Sequence, residues 1–199
     1  MKPFVTLDSV AIPLDIVNCD TDRIVPARFL REPRSAGYGN FLFRDLRDAN
    51  SDFVLDRPIY RDAQILVAAE NFGCGSSREG AVWALEGFGL RAWIAPSFGD
   101  IFYENTLKNG LLPIVLPIPR VEAIRAQLLA NPGARLAIDL PAQTVTLPDG
   151  HVERFEIDGF RKECLVQGLD DIDLTLRHEA AIESYEARQR GETPWLAPR

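Results

Sequence analysis

The sequence predicts an α/β domain: a mixed sheet with flanking helices and an antiparallel C-terminal segment. Three observations point there. Two short apolar runs, Ile65 to Ala69 and Ala92 to Ala95, have the pattern of strands buried on both faces. A glycine-bearing loop and a helix-like stretch separate them, which makes a βαβ unit and a locally parallel sheet. Residues 135–157 instead alternate with a period of two, as an antiparallel meander does.

The elements follow in order. Residues 4–17 alternate loosely and read as a strand ending in Asn18-Cys19-Asp20-Thr21-Asp22, a turn rich in side chains that bond their own backbone. At least one of Asp20 and Asp22 is expected to serve that turn. Residues 31–57 are polar, glycine-bearing and aperiodic, a long loop of the kind that often carries function. After the strand at 65–69 comes a helix over about Arg78 to Glu86, closed by Gly87, and then the strand at 92–95. A helix over Ile101 to Lys108 ends at Asn109-Gly110, and Leu112 to Leu116 is a third strand. Val121, Ile124, Leu128 and Leu129 have helical spacing, stopped by Asn131-Pro132-Gly133. In the meander, Leu136, Ile138 and Leu140 alternate, then Val145 and Leu147, then Phe155 and Ile157 beyond the Asp149-Gly150 turn. A polar helix over about Arg177 to Arg190 precedes a Pro-rich end in which Trp195 is exposed or docks elsewhere. Glu179, Glu183, Glu186, Arg188 and Arg190 read as its solvated face.

Bulk properties narrow the function. A chain of 199 residues fits a single domain over 1–199, with a core of about 5–175 and a helical tail at 176–199. The net charge of −7 argues against a nucleic-acid footprint. No run approaches the length of an apolar membrane-spanning helix, and Met1-Lys2-Pro3-Phe4 does not open a signal peptide. Cys19, Cys74 and Cys164 are scattered, odd in number and without CxxC spacing, so they form neither a disulfide framework nor a metal-ligand set. Reduced thiols and a cytoplasmic location are the expectation.

The chemistry concentrates in Gly73-Cys74-Gly75-Ser76-Ser77-Arg78-Glu79. Two glycines permit a tight turn close to a ligand. The serines fall where a helix begins, with free N–H groups and a dipole that favours an anion. Arg78 adds a planar fork suited to a carboxylate. The loop leaves the C-terminal end of a strand, where ligands gather in open α/β sheets. Ser76 to Glu79 also fits a capping box, and one serine can cap while the other faces a ligand. A Cys74 nucleophile ranks lower: it would need a histidine base, and both His151 and His178 read as solvated surface residues.

The run Asn71 to Glu79 resembles the signature of aconitase-type swivel domains, above all the small subunits of bacterial isopropylmalate dehydratases. Asn18 to Pro26, Ile94 to Phe102, Asn109 to Pro113 and Gly168 to Ile172 match in the same order, so the likeness spans about residues 5–190. The resemblance implies a swivelling β/β/α domain. It implies a hydro-lyase of leucine biosynthesis that interconverts 2- and 3-isopropylmalate and works only with a large subunit. That partner would hold a [4Fe–4S] cluster, with no cofactor in this chain, and the substrate would be a small dicarboxylic hydroxy acid. By the same likeness Ser76 is the base, and Ser77 and Arg78 bind a substrate carboxylate. Thr21 and Asp22 would line the cleft, and Arg34 is the nearest match to a further substrate-binding arginine. Two positions depart from the family pattern: Gly80 stands where histidine is usual, and Arg34 is shifted by one place. Residues 34–44 would contact the variable part of the substrate. The alternatives are a paralogue acting on another alkyl- or dialkylmalate, and a non-catalytic anion-binding module.

Overall fold

Strand β1 (Thr6–Leu14) lies inside a seven-stranded sheet and has a different kind of neighbour along each half. Its second half runs parallel to β2 (Ile65–Ala68), with Ala11 opposite Ile65. Its first half runs antiparallel to β5 (Arg135–Asp139), with Ser9 opposite Leu136. The parallel side continues through β3 (Ala92–Ala95) to β4 (Leu112–Val115). The antiparallel side continues through β6 (Thr144–Thr146) to β7 (Val152–Arg154). The strand order is therefore β4-β3-β2-β1-β5-β6-β7. Pro113, which has no N–H to donate, is tolerated because β4 lies at the edge. The computed structural model describes residues 1–193 and Trp195.

The mixed sheet and the C-terminal meander match the sequence expectation, and the reason for the apolar runs is plain. Each parallel strand feeds two cores. Leu66, Ala68, Trp93 and Ala95 point to one face, whereas Ile65, Val67, Ala92 and Ile94 point to the other. On the first face lie α3 (Glu79–Phe88) and the long segment 21–63, which contributes Tyr38, Leu42, Phe43, Leu55 and Tyr60. The second is covered by α5 (Ile118–Ala130), through Val121, Ile124 and Leu128. Helix α4 (Asp100–Lys108) gives Phe102 to one core and Leu107 to the other.

Several expectations change in detail. The segment 31–57 is not structureless: it holds short 3-10 turns and a helix, α2 (Arg44–Ala49), whereas the turn before it carries α1 (Thr21–Ile24). Two helices absent from the sequence reading follow the meander, α6 (Gly159–Gln167) and α7 (Asp171–Leu176). Both have carboxylate caps, Asp158 on the Arg161 N–H at 3.0 Å and Asp170 in a capping box with Asp173. The tail helix α8 spans Glu179–Glu192, two residues later than expected, and buries none of its residues, as its solvated-face reading requires. Trp195 is exposed. The other residues of the Pro-rich end lie outside the described residues.

Helix α3 ends not at Gly87 but at Gly89, which takes the left-handed conformation at φ 112°. Gly87 lies inside the helix, where it meets Gly39 backbone to backbone, and a Cβ on Gly39 would collide with the Gly87 carbonyl. No flexible side chain can yield at this contact, so Gly39→Ala must push the 38–41 turn off the helix. Overpacking of this kind costs about 1–3 kcal/mol. A chemical-denaturation midpoint lowered accordingly is expected for Gly39→Ala, and an unchanged midpoint would show that the contact is not tight.

Candidate active site

Three loops leave the C-terminal ends of β1, β2 and β3 and stay paired beyond the strands. The loop after β2 is bonded on both sides. Toward β1, the Gly73 N–H donates to the Cys19 carbonyl at 2.7 Å, and the Thr21 N–H donates to the Cys74 carbonyl at 3.0 Å. Toward β3, the Phe72 N–H donates to the Ser97 carbonyl at 3.1 Å, and the Gly99 N–H donates to the Phe72 carbonyl at 3.0 Å. Asn18 and Asn71 both turn the chain through the left-handed region, at φ 51° and 58°. Asparagine tolerates that region better than most residues. Their side chains join, the Asn71 amide donating to the Asn18 oxygen at 2.8 Å.

Gly73 and Gly75 are also left-handed, at φ 72° and 88°. A Cβ on Gly73 would fall inside the Phe102 ring, so glycine is required there twice over. Beyond Gly75 the backbone is held by the Thr21 hydroxyl, which donates to the Ser76 carbonyl at 2.9 Å. Thr21 is buried. Its hydroxyl therefore fixes the loop rather than facing the cleft.

The hydroxyl-bearing residues Ser76 and Ser77 are exposed. Ser76 lines a cleft of about 280 Å³ together with Gly73, Cys74, Gly75, Gly99 and Asp100. The capping box suggested by Ser76 and Glu79 does not form. Helix α3 begins only at Glu79, its N-cap is Arg78, and no side chain caps it. The Glu79 carboxylate instead accepts a hydrogen bond from the Asn109 side chain at 2.9 Å. Ser76 thus lines the cleft and Ser77 is exposed beside it, next to the open end of a ten-residue helix.

Arg78 is mostly covered, and its guanidinium pairs with the more exposed Asp22 carboxylate. Asp20 has the turn role expected for one of the two aspartates: its carboxylate accepts from the Arg23 N–H at 2.8 Å and caps α1. Thr21, Asp22, Ser76, Ser77 and Arg78 are therefore brought together. Arg34 is not. It bonds Glu86 at 2.7 Å, lies over the Trp83 ring, and faces a separate cavity of about 310 Å³ shared with Arg91 and Lys108. Gly80 is buried, and a Cβ there would stand 3.0 Å from Leu30 and 3.2 Å from Tyr38. The 27–41 segment fills the space that a larger residue at 80 would need.

Sequence reasoning missed Asn18 and Asn71 as corner residues and Asn109 as the partner of Glu79. The asparagines adjoining the two loops were the available signal for the first pair; nothing local marks the second.

Comparison with known proteins fits this geometry. A model described as Aconitase C-terminal domain matches residues 1–119, and a LeuD_N model matches 122–159. A third model, for the C-terminal domain of the 3-isopropylmalate dehydratase small subunit, matches 171–199. The 3-isopropylmalate dehydratase small subunit of Rhodospirillum centenum is 51% identical, and that of Magnetococcus marinus 48%, each alignment covering 98% of both chains. The chain belongs to the 3-isopropylmalate dehydratase small-subunit family. A crystal structure of 3-isopropylmalate dehydratase from Methanocaldococcus jannaschii shares the fold, with a TM-score of 0.66 at 27% identity over 91% of this chain and 99% of that one. Members of this family are subunits of a lyase, so the site is to be read as one part of an assembled enzyme.

Within this family member no group of three or more His, Cys, Asp or Glu side chains among the described residues is placed to hold a metal ion. No helix among them is long and apolar enough to cross a membrane. Cys19, Cys74 and Cys164 are free thiols. Burial pushes the Cys19 thiol up to about 12. Burial first, and then the nearby Asp20, also raise Cys74 above the ordinary thiol range. At neutral pH Cys74 is therefore a neutral thiol, the opposite of an activated nucleophile. Its alkylation by iodoacetamide should be slow at pH 7 and still be accelerating above pH 9. A rate that levels off below pH 8 would reveal a stabilised thiolate and revive a catalytic role.

Proposed function

We propose that this chain is the small subunit of a hydro-lyase that interconverts 2- and 3-isopropylmalate through 2-isopropylmaleate, in leucine biosynthesis. The observation that carries the reading is the cleft between the loops after β2 and β3, lined by exposed Ser76, with exposed Ser77 and the Arg78–Asp22 pair next along the same loop. The substrate is a small dicarboxylic hydroxy acid. Its isomerisation requires breaking a C–H bond adjacent to a carboxylate, which calls for a base and for positive charge nearby. As that electron pair becomes the new C=C bond, the C–O bond breaks and hydroxide leaves; re-addition of hydroxide and a proton, each to the carbon the other had left, gives the isomer. Loss of hydroxide calls for a Lewis acid, and in this reading that chemistry belongs to a [4Fe–4S] cluster on the large subunit.

The roles in this chain are those the family resemblance implies, and position supports them. Ser76 takes the proton. Serine is a poor base when free, and the open end of α3 together with Arg78 favours its alkoxide. Ser77 and Arg78 hold a carboxylate, Asp22 aims the guanidinium, and Thr21 holds the loop that carries Ser76. Arg34 binds substrate only if the 34–44 segment moves relative to α3, because Glu86 now holds it. The packing of Leu30 and Tyr38 at Gly80 favours keeping the paralogue reading, with a different alkyl group on the malate, as the second candidate. The family is cytoplasmic in this reading.

Substitutions separate catalysis from passive anion binding. In the enzyme assembled with its large subunit, Ser76→Ala should lower kcat by roughly 10²–10⁴-fold, the range typical of a lost general base, with KM little changed. A near-normal kcat would reject the base assignment and leave the loop as an anion-binding module. Arg78→Lys keeps the charge but loses the fork, so KM should rise clearly; an unchanged KM would remove Arg78 from carboxylate binding.

A further inference from the structure

The C-terminal arm, α7 and α8, is largely uncovered: Leu174 of α7 lines a small pocket with Met1, Leu107 and Cys164, but the other large apolar residues of both helices are exposed. No residue of either helix is buried, and Ile172, Leu176 and Tyr185 are each more than half exposed. Ile172 and Leu176 are four apart on α7, and Ile182 and Tyr185 are three apart on α8, so each pair shares one side of its helix. A helix of 14 residues is marginal in water unless an apolar face is covered. The base of the arm is nevertheless fixed. Asp170 caps α7, and Arg177 bonds Gln167 at 2.5 Å on α6, which is anchored by buried Cys164 and Leu165. Helix α7 is thus fixed to the domain on one side, while Ile172 and Leu176 on α7 and Ile182 and Tyr185 on α8 stay uncovered.

We infer that this arm is the docking surface for the large subunit; the inference rests on the small-subunit reading above. Two considerations choose this occupant. The first is a difference between parts of the chain. Residues 1–119 match a model named for the C-terminal domain of aconitase, whereas residues 171–199 match one named for the C-terminal domain of a small subunit. A domain joined to its partner by the chain gains a high effective concentration from the linker; a separate subunit lacks this and needs surface of its own. Residues 122–159 match a LeuD_N model and carry core residues such as Leu128 and Leu136, whereas α7 and α8, within 171–199, have no buried residue. The second is size. A stable interface takes about 20–30 residues a side, or roughly 800 Å² per partner. One side of the six-residue α7 and the fourteen-residue α8 supplies part of such a surface, and no residue of either helix lines the Ser76 cleft.

The test uses the full chain co-expressed with a tagged large subunit. It measures affinity by titration, activity over a range of protein concentrations, and the oligomeric state of the isolated chain. Ile182→Glu/Tyr185→Ala is the first variant and Leu176→Glu an independent second. Exposed positions of this kind normally leave stability within about 0.5 kcal/mol, which a denaturation midpoint verifies. The expected result is a Kd raised at least tenfold by each variant, with activity restored when both subunits are concentrated. Wild-type affinity in both variants would overturn the arm while leaving the proposed function standing. A self-associated chain made monomeric by the variants, with large-subunit affinity unchanged, would assign the arm to a second copy and overturn the inference. Failure of the wild-type chain to bind any large subunit would overturn both readings.

Discussion

The site depends on backbone pairing that outlasts the strands. Where β1, β2 and β3 stop, the three chains leaving them remain bonded as isolated parallel bridges, Asp20 to Cys74 and Phe72 to Phe98. This accounts for the main-chain groups of a loop that would otherwise need water or side chains to satisfy them. The side chains of Ser76 and Ser77 are thereby released from structural duty. Thr21 takes over the one hold that a side chain must provide, and it does so from a buried position where it is not itself in contact with the cleft.

Charge at the site is balanced before any substrate arrives. Arg78 is mostly covered and would be costly to leave unpaired, so Asp22 matters as much for keeping it in place as for anything it touches directly. In the proposed reading, a substrate carboxylate that reaches Arg78 shares or replaces that partner. Because Asp22 is the more exposed member, it can give way into water while the guanidinium stays. Arg34 illustrates the same principle at a distance: it is stacked on Trp83 and held by Glu86, so its fork is aimed along α3.

Much of this was legible because local and tertiary demands agree. Ile65 to Ala69 and Ala92 to Ala95 are apolar throughout since both sheet faces are covered, and the glycine-serine loop between them was conspicuous by contrast. The meander was legible from its period. Helices α6 and α7 were not, although Asp158, Gly168 and Asp170 are recognisable caps, because their apolar residues are too few to set a period. The segment 31–57 hid its structure differently. Tyr38, Leu42, Phe43 and Leu55 are deeply buried without regular spacing, and Phe43 even adopts φ 50°. Nor could sequence decide whether Ser76 would cap the helix, since that turns on whether α3 starts at residue 77 or 79. The position of Arg34 rests on Glu86 and Trp83, 52 and 49 residues away, and no local pattern encodes such a contact.

The double allegiance of β1 also governs how the chain can form. Its parallel partner, β2, lies some fifty residues downstream, but its antiparallel partner is much later: Asp8 meets Arg135 across a separation of 127 residues. During synthesis at roughly 5–20 residues per second, the first half of this strand must wait many seconds as an unpaired edge after its second half has a neighbour available. Separations this long are the ones that slow folding, because loop closure precedes any gain from contact. Charged side chains on an open strand discourage pairing with the wrong chain, and Asp8, which ends 2.7 Å from Arg135, lies on the waiting half.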